Sequence, residues 1–423
     1  MGFSGPRRAR HRSLGAIGLS IDKRCFTIRC NSASRQTATP ATIDWPFLRI
    51  DDAHHMISRQ QLRDRANAIA RTTLSPIPLA FWEYAFPKDV IALCYHVVSD
   101  VDLPHLQLYP YKTASQFEAD VIFSRERAAT YRQVVERRLR GSQLPSNSIL
   151  FTFDDGLASC HNVIRPILKR NGVDAVFFVT TDYLDDAESF FECELSLCLW
   201  EIERLDSDRA RSVLATLNSS APLNMISPER QRLAQRRMSS TRLKLSREAV
   251  KREIALHAFG LSDGDEDLAR LAALLGVDIA KYAERRPMFM TRDEVRKLIA
   301  DGFTVGAHGR KHRSFEVLTP EEIEREIVAS CDAVRAITGQ ERIPFAFPYS
   351  GLGVDRQLIA DILKRHSTIE MVFDSGCLRN DPNFIVNRVF ADDPAGSLDV
   401  DVSSVPGTLR DAWSVPSAWF RRG

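Results

Sequence analysis

The sequence predicts an α/β fold built on a parallel sheet, closed as a barrel or open, and interrupted by a helical insertion. Short, continuously apolar runs alternate with helical segments along much of the chain, which is typical of βαβ units. At 423 residues and 44% apolar content the chain is long enough for one large domain with additions, or for two domains. Strand signals are missing between about residues 188 and 286 and then return, which indicates an insertion rather than an independent domain.

The N-terminal segment predicts no part of the α/β fold. Residues 1–43 are rich in Ser, Thr and Arg and have little periodic hydrophobicity, so we expect a disordered basic tail. Such a composition is also typical of an organelle transit peptide, although the tail explains it equally well. Residues 44–86 are expected to form a helical N-terminal extension. The apolar stretch at 13–20 is too short for a secretory signal, and no run of about 18 apolar residues predicts a transmembrane segment. We therefore expect a cytoplasmic protein.

Overall charge and cysteine usage narrow the class of protein. The formal charge of +2 argues neither for a nucleic-acid partner nor for an anionic surface. The eight cysteines form no CxxC pair and are expected to be free thiols in a reducing compartment. Cys193 and Cys198 lack a second ligand pair nearby, which argues against a zinc ribbon.

The first convincing strand is the apolar run 90–98, of the kind that is buried on both faces of a parallel sheet. His96 lies near its C-terminal end, where a histidine is more often a hydrogen-bonded core or rim residue than a catalyst. The segment 115–139 is expected to be helical, and its arginine series is typical of a solvated face.

The next strand, 148–153, ends in two adjacent carboxylates and a glycine. Because side chains alternate along a strand, Asp154 and Asp155 are expected to point in different directions and to have different roles. Gly156 permits the tight turn that leaves both acids at the strand end. The simpler interpretation is a polar turn, since Asp-Gly is a common turn dipeptide. A helix at 157–170, interrupted at Pro166, and a strand at 174–180 complete a right-handed βαβ unit.

Helices dominate the middle of the chain, and the α/β alternation then resumes. Helices are predicted at 190–205, 228–259 and 267–283 within the insertion. Thr291 and Thr319 each begin a capping box, and a strand at 303–308 lies between the two helices that these boxes start. The remaining predicted elements are a turn or strand at 344–349, a helix at 355–365, and strands at 369–373 and 385–390. We assign residues 87–395 to the α/β domain and 396–423 to a C-terminal tail.

Three residues at strand ends are candidate metal ligands: Asp155, His308 and His312. Two histidines four residues apart and one carboxylate are a facial set that leaves positions open for water and substrate. These ligands suit Zn²⁺, and they also accept Co²⁺ or Ni²⁺. The adjacent Asp154 is then placed to take a proton from an activated water. The turn at Pro348 and Tyr349 is able to present a backbone N–H to a developing oxyanion.

The motifs around these residues resemble those of the polysaccharide deacetylases, also described as nodulation-protein-B-like chitooligosaccharide deacetylases. Thr152–Gly156 resembles the first motif of that family, His308–His312 the second, and Phe347–Tyr349 the third. The resemblance implies a distorted (β/α) barrel with fewer than eight full repeats and a site at the C-terminal ends of the strands. It also implies that Asp154 is the base, that Asp155, His308 and His312 hold the metal, and that Tyr349 donates its main-chain N–H to the oxyanion.

Two features depart from the family pattern. The third motif usually contains an arginine that contacts the base, and Ala346 occupies the corresponding place. A late motif normally supplies a histidine as general acid, but the matching region 384–390 contains none. His96 is the candidate substitute, and His366, at a predicted helix end, is a poorer one.

The sequence therefore predicts a metal-dependent hydrolase that removes N-acetyl groups from an N-acetylated oligo- or polysaccharide, of the chitooligosaccharide or cell-surface glycan type. One alternative keeps the metal site but changes the substrate to a non-sugar amide or imide. Another is a non-catalytic glycan-binding relative, which the missing late histidine would explain. Exposed aromatic residues around the site would favour a sugar, whereas an enclosed apolar pocket would favour a small molecule. The exact glycan and the oligomeric state stay open.

Overall fold

The structure is a computed structural model that describes residues 77–220, 234, 248–261, 266–392 and 405–413, together with two short strands upstream. The chain divides into two compact units, residues 1–57 and 58–423. In the first unit, strands Leu19–Ile21 and Ile28–Cys30 pair antiparallel. Apart from these two strands, the segment predicted as a disordered basic tail, residues 1–43, lies outside the described residues. The predicted extension at 44–86 is described only from residue 77 onward.

Seven parallel strands form a closed barrel in chain order. They are β1 (Val90–Tyr95), β2 (Ser148–Phe153), β3 (Ala175–Val179), β4 (Thr304–Ala307), β5 (Ile343–Ala346), β6 (Ile369–Asp374) and β7 (Ile385–Phe390). The last strand pairs with the first, with Ala92 opposite Arg388, so the sheet is closed rather than open. The predicted (β/α) barrel with fewer than eight strands is confirmed.

The strands are buried on both faces, as their continuous apolar runs predict. Every residue of β2 is buried. Alternate residues enter two different apolar clusters: Ile149 and Phe151 pack with the surrounding helices, whereas Leu150 packs in a second cluster with Phe178. By the same alternation Asp154 follows the side of Leu150, and Asp155 points elsewhere.

Thirteen α-helices are described. They are α1 (Leu79–Ala85), α2 (Ala114–Ser124), α3 (Tyr131–Arg140), α4 (Arg165–Asn171), α5 (Phe191–Arg204), α6 (Ser207–Ser220), α7 (Ala249–Phe259), α8 (Glu266–Leu275), α9 (Ile279–Arg285), α10 (Arg292–Ala300), α11 (Pro320–Thr338), α12 (Arg356–Arg365) and α13 (Val405–Trp413). None of these helices is long and apolar enough to cross a membrane.

Three predicted helices are broken by local signals. The segment 115–139 is two helices, because Thr130 caps α3 with its own side chain and Gln133 returns the bond. A π-helical turn, Cys160–Ile164, precedes α4. The predicted helix 267–283 divides into α8 and α9, where Asp278 accepts the Lys281 N–H as the cap of α9.

The helices α5 to α10 lie between the adjacent strands β3 and β4. Much of this segment has its own apolar cluster, which includes Leu195, Ile254 and Leu271. The predicted helix 228–259 is described only as α7, and most of its first part lies outside the described residues. Within the segment predicted as a C-terminal tail, α13 packs on the barrel domain: Trp413 is buried, and its indole N–H donates to the Phe86 carbonyl at 3.2 Å.

Candidate functional site

The three predicted metal ligands meet at the C-terminal ends of the barrel strands. Nε2 of His308 lies 3.4 Å from Oδ1 of Asp155, and Nε2 of His312 lies 3.3 Å from the same oxygen. One ligand atom from each residue falls within 4.8 Å of the other two, and the three side chains are at most 8% exposed. The barrel therefore brings together residues from two strands, β2 and β4, that are far apart in sequence.

Hydrogen bonds orient two members of the triad, His308 and Asp155. The carbonyl of Ala346 accepts from Nδ1 of His308 at 2.9 Å, which assigns the proton to Nδ1 and leaves the Nε2 lone pair facing Asp155. Tyr109 donates its hydroxyl to Oδ2 of Asp155 at 2.9 Å. Oδ1 of Asp155 is buried and has no hydrogen-bond partner among the described residues. Because an unpaired buried carboxylate oxygen is costly, this donor set fits a divalent cation.

The backbone is strained at the same place. Asp155, His312 and Tyr349 adopt positive φ angles of 70°, 52° and 55°. Each such residue costs about 1–3 kcal/mol, and strain of this kind clusters at functional sites. Gly156 has a φ of +80°, and a Cβ there would lie 3.1 Å from Val179, so the turn after β2 requires glycine.

Asp154 has different hydrogen-bond partners from Asp155, as the strand alternation predicts, although Nε2 of His308 lies 3.7 Å from Oδ2 of Asp154 and 3.4 Å from Asp155. Its two oxygens accept from Nη1 and Nη2 of Arg388 at 2.5 and 2.7 Å, and both side chains are buried. Burial raises the pKa of Asp154, but the charge and hydrogen bonds of Arg388, together with the nearby His308 and His96, outweigh that effect, and the pKa lies below its usual value. Asp154 is therefore ionised at neutral pH and available to accept a proton.

Arg388 is a residue of the site that the sequence reasoning missed. It stands on β7 and contacts the predicted base, which is the contact that the family arginine makes from the position of Ala346. Its guanidinium also lies 5.3 Å from the Phe178 ring centroid, inside the barrel. The available signal was an arginine within a strand that is otherwise almost entirely buried, since unpaired arginine is rare at such positions.

His96 lies beside the predicted base, directly after β1. A ring nitrogen of His96, an oxygen of Asp154 and Sγ of Cys94 fall within 4.8 Å of one another. Asp392 accepts from the His96 backbone N–H at 2.9 Å and from Nδ1 at 2.6 Å. Burial lowers the pKa of His96, but the Asp392 charge and hydrogen bond outweigh it and raise the pKa to about 9. The other candidate acid, His366, instead pairs with Glu324 at 2.7 Å at the end of α12.

Tyr349 lies against the triad, and its turn is anchored to the end of β6. The Tyr349 and His312 ring centroids are 4.5 Å apart. Ser375 donates its hydroxyl to the Tyr349 carbonyl at 2.6 Å, and the buried Asp374 accepts the Gly351 N–H at 2.8 Å. The Tyr349 hydroxyl donates to Glu192, on the first turn of α5. Hydrogen bonds to the Tyr349 carbonyl and from the Gly351 N–H therefore fix the main chain of the strained turn.

Tyr109→Phe is expected to weaken metal binding by about tenfold, because partners of metal ligands typically contribute 10- to 100-fold in affinity. Without the hydroxyl, Asp155 loses the bond that fixes Oδ2 and leaves Oδ1 for the ion. Competition against a chromophoric chelator measures the dissociation constant directly. Tyr131→Phe is the matched control, since that buried hydroxyl also donates to a carboxylate, Glu370, but away from the triad. An unchanged affinity in Tyr109→Phe would contradict the positioning role.

Comparison with solved structures finds several bacterial deacetylases of low identity. IcaB from Ammonifex degensii is 14% identical over 78% of this chain and 97% of its own, with a TM-score of 0.42. A de-N-acetylase from Aggregatibacter actinomycetemcomitans is 17% identical over 73% and 97%, with a TM-score of 0.42. The Streptococcus pyogenes deacetylase PplD, solved with acetate, is 12% identical over 76% and 99%, with a TM-score of 0.43. A search of the curated proteins finds no match.

The sequence model of the polysaccharide deacetylases matches residues 141–209 and 268–367. The first matched range contains Asp154 and Asp155, and the second contains His308, His312 and Tyr349. Three further residues of the site lie outside the matched ranges: His96, Arg388 and Asp392. The fold, the three motifs and this match lead to one conclusion: the chain belongs to the polysaccharide deacetylase family, hydrolases of carbon–nitrogen bonds other than peptide bonds.

Proposed function

We propose that the protein removes N-acetyl groups from an N-acetylated oligo- or polysaccharide of the chitooligosaccharide or cell-surface glycan type. The observation that carries the proposal is the pair of adjacent aspartates with different hydrogen-bond partners. Asp155 turns an unpaired oxygen toward two histidines, and Asp154 stays ionised beside them. This arrangement provides one carboxylate for a cation and another for a proton.

The proposed ion at Asp155, His308 and His312 is Zn²⁺, and the same ligands accept Co²⁺ or Ni²⁺. When bound, a divalent ion of this kind lowers the pKa of water and polarises the acetamide carbonyl. Asp154 then takes a proton from the attacking water, while Arg388 holds both carboxylate oxygens in place. The main-chain N–H of Tyr349 is the proposed donor to the negative charge that develops on the carbonyl oxygen.

His96 is the proposed general acid. Asp392 binds its Nδ1, so the proton to be transferred resides on Nε2. As the bond between the acetyl carbon and nitrogen breaks, this proton passes to the leaving nitrogen. The products are acetate and a primary amine on the sugar. In this proposal His96 takes the role of the late histidine, whose absence is the one argument for a non-catalytic relative.

Exposed aromatic rings on two sides of the site favour a sugar over a small amide or imide. Tyr349 is 53% exposed and packs on His312. Phe390 is 51% exposed and stacks on His96, with ring centroids 5.9 Å apart. Solvent-exposed rings of this kind stack on pyranose rings.

Acetate release from a panel of N-acetylated oligosaccharides tests the proposal. We expect release by protein reconstituted with Zn²⁺, loss of release with a chelator, and recovery when the ion is restored. A cyclic imide and a simple acetanilide in the same panel test the alternative substrates. Hydrolysis of those compounds without any release from the oligosaccharides would overturn the sugar assignment.

The alkaline limit of activity is expected to depend on Asp392. A general acid must carry its proton, so activity falls as pH rises through the pKa of His96, which is raised to about 9. Asp392→Asn removes the largest cause of that rise, and the alkaline limb of kcat/KM should therefore move to lower pH by about one unit or more. Rates measured from pH 6 to 10 check this, and an unmoved limb would contradict the role of His96 as acid.

A further inference from the structure

The helical segment between β3 and β4 reaches into the site through the start of α5. The Phe190 ring lies edge-on to His312, with centroids 5.4 Å apart. Two residues later, Glu192 accepts the hydroxyl of Tyr349. Glu188 binds Lys311 Nζ at 2.8 Å, which ties the same segment to the loop between the two histidines. This segment therefore forms one wall of the site.

Glu192 differs from the other acids of the site in its partners. Asp154 is paired with Arg388, Asp392 is paired with His96, and Asp155 belongs to the cation site. Within the described ranges, no cationic side chain pairs with the half-buried Glu192, and its carboxylate has only the neutral hydroxyl of Tyr349 as a side-chain partner. Its negative charge is therefore available to a cationic group on a ligand.

We propose that Glu192 binds the ammonium group of a de-N-acetylated sugar unit next to the unit that reacts, so that partly deacetylated chains are preferred substrates. This inference rests on the proposed function. N-deacetylation leaves a primary amine, which is protonated at neutral and acidic pH. Every turnover on a glycan chain therefore creates the cation that an unpaired carboxylate at the site would bind.

The position of Glu192 places this subsite beside the reacting unit rather than at it. The proposed place of the reacting acetamide is among Asp154, His96 and the metal triad, whereas Glu192 binds the hydroxyl of Tyr349, whose ring packs against His312 at the edge of the triad. The half-exposed Tyr349 ring offers a stacking surface for the neighbouring sugar. Glu192, bound to the hydroxyl of that ring, lies at its edge, where the substituents of a stacked pyranose project.

The test compares two substrates with the full-length protein reconstituted with Zn²⁺. One is a fully acetylated N-acetylglucosamine pentamer, and the other is the same pentamer with a single free amine. We expect kcat/KM for acetate release to be about fivefold higher for the amine-bearing oligomer at low salt, mainly through KM. At an ionic strength of about 0.5 M this ratio should fall toward one, because salt screening weakens an ion pair but not a contact with a hydroxyl group.

E192Q is expected to bring the same ratio close to one at low salt. E194Q is the matched control: Glu194 lies on the same helical turn but binds the Ser189 hydroxyl, and its variant should keep the parental ratio. Thermal melting confirms that both variants are folded. Equal kcat/KM for the two oligomers in the parent, or an unchanged ratio in E192Q, would overturn the subsite while leaving the deacetylase intact. No acetate from either oligomer would overturn the proposed function and the subsite with it.

Discussion

Asp154→Asn is expected to lower turnover on an N-acetylated oligosaccharide by about 10²- to 10⁴-fold while the protein still binds its metal ion. An amide cannot accept the proton of the attacking water, and general base catalysis typically contributes factors of that size. The three proposed metal ligands are untouched, because Asp155 faces His308 and His312 through its own Oδ1. The loss should therefore lie in kcat rather than in metal content.

The control must distinguish a loss of catalytic activity from a loss of folded protein. Arg388 is buried, and in Asp154→Asn it faces a neutral amide, so some loss of stability is expected. Asp301→Asn removes a carboxylate that also accepts from an arginine, Arg165 at 2.5 Å, but at the opposite end of the barrel before β4. That variant should keep the parental rate.

Metal analysis and thermal melting of the folded Asp154→Asn protein complete the test. Full metal occupancy with turnover lost identifies a base. If the variant deacetylated the oligomer at the parental rate, the assignment of Asp154 as base would be wrong.

The barrel and the metal triad were predictable because their signals are local. Each strand is a short apolar run, and each motif fits within a few residues: two aspartates before Gly156, and two histidines four positions apart. Since parallel strands end at the same face of a barrel, placing both motifs after strands was enough to bring Asp155, His308 and His312 together.

The partners of Asp154 and His96, the two proposed proton-transfer residues, were not predictable in the same way. Arg388 is 234 residues from Asp154, and Asp392 is 296 residues from His96. Both contacts exist only because β7 closes the barrel against β1, and the apolar pattern leaves open whether a sheet closes. Closure of the barrel also explains how Arg388, on β7, contacts Asp154 in place of an arginine at the position of Ala346, on β5. The ends of both strands face the same barrel interior.

The sequence also does not predict that α5 forms one wall of the site. Helical periodicity predicts that a helix exists, and its start at Phe191 falls one residue from the predicted 190. It does not predict which side chains of the first turn face the barrel. Glu192 on such a turn is usually solvated, and only the packing of Phe190 against His312 directs it to Tyr349.

His96→Asn is expected to separate two substrates that differ in their leaving groups. On an N-acetylated sugar, turnover should fall by about 10²- to 10⁴-fold, because an amine leaves only when its nitrogen is protonated. On an activated aryl acetate the loss should stay within about tenfold, since a phenolate needs no proton to leave. Asparagine retains an N–H able to donate to Asp392, so the loop at the end of β1 keeps its anchor.

The comparison isolates the acid from every other role that His96 could have. A structural role or a weakened metal site would lower both rates together, whereas a lost proton donor lowers only the amide rate. His366→Asn is the matched control, because His366 also binds a carboxylate, Glu324, but on the surface at the end of α12, and both of its rates should match the parent. Equal losses on the two substrates would contradict the acid assignment, and parental rates on both would remove His96 from the mechanism. A loss confined to the amide substrate would show that the general acid is His96, at the end of β1. Asp392, which follows β7, holds it there.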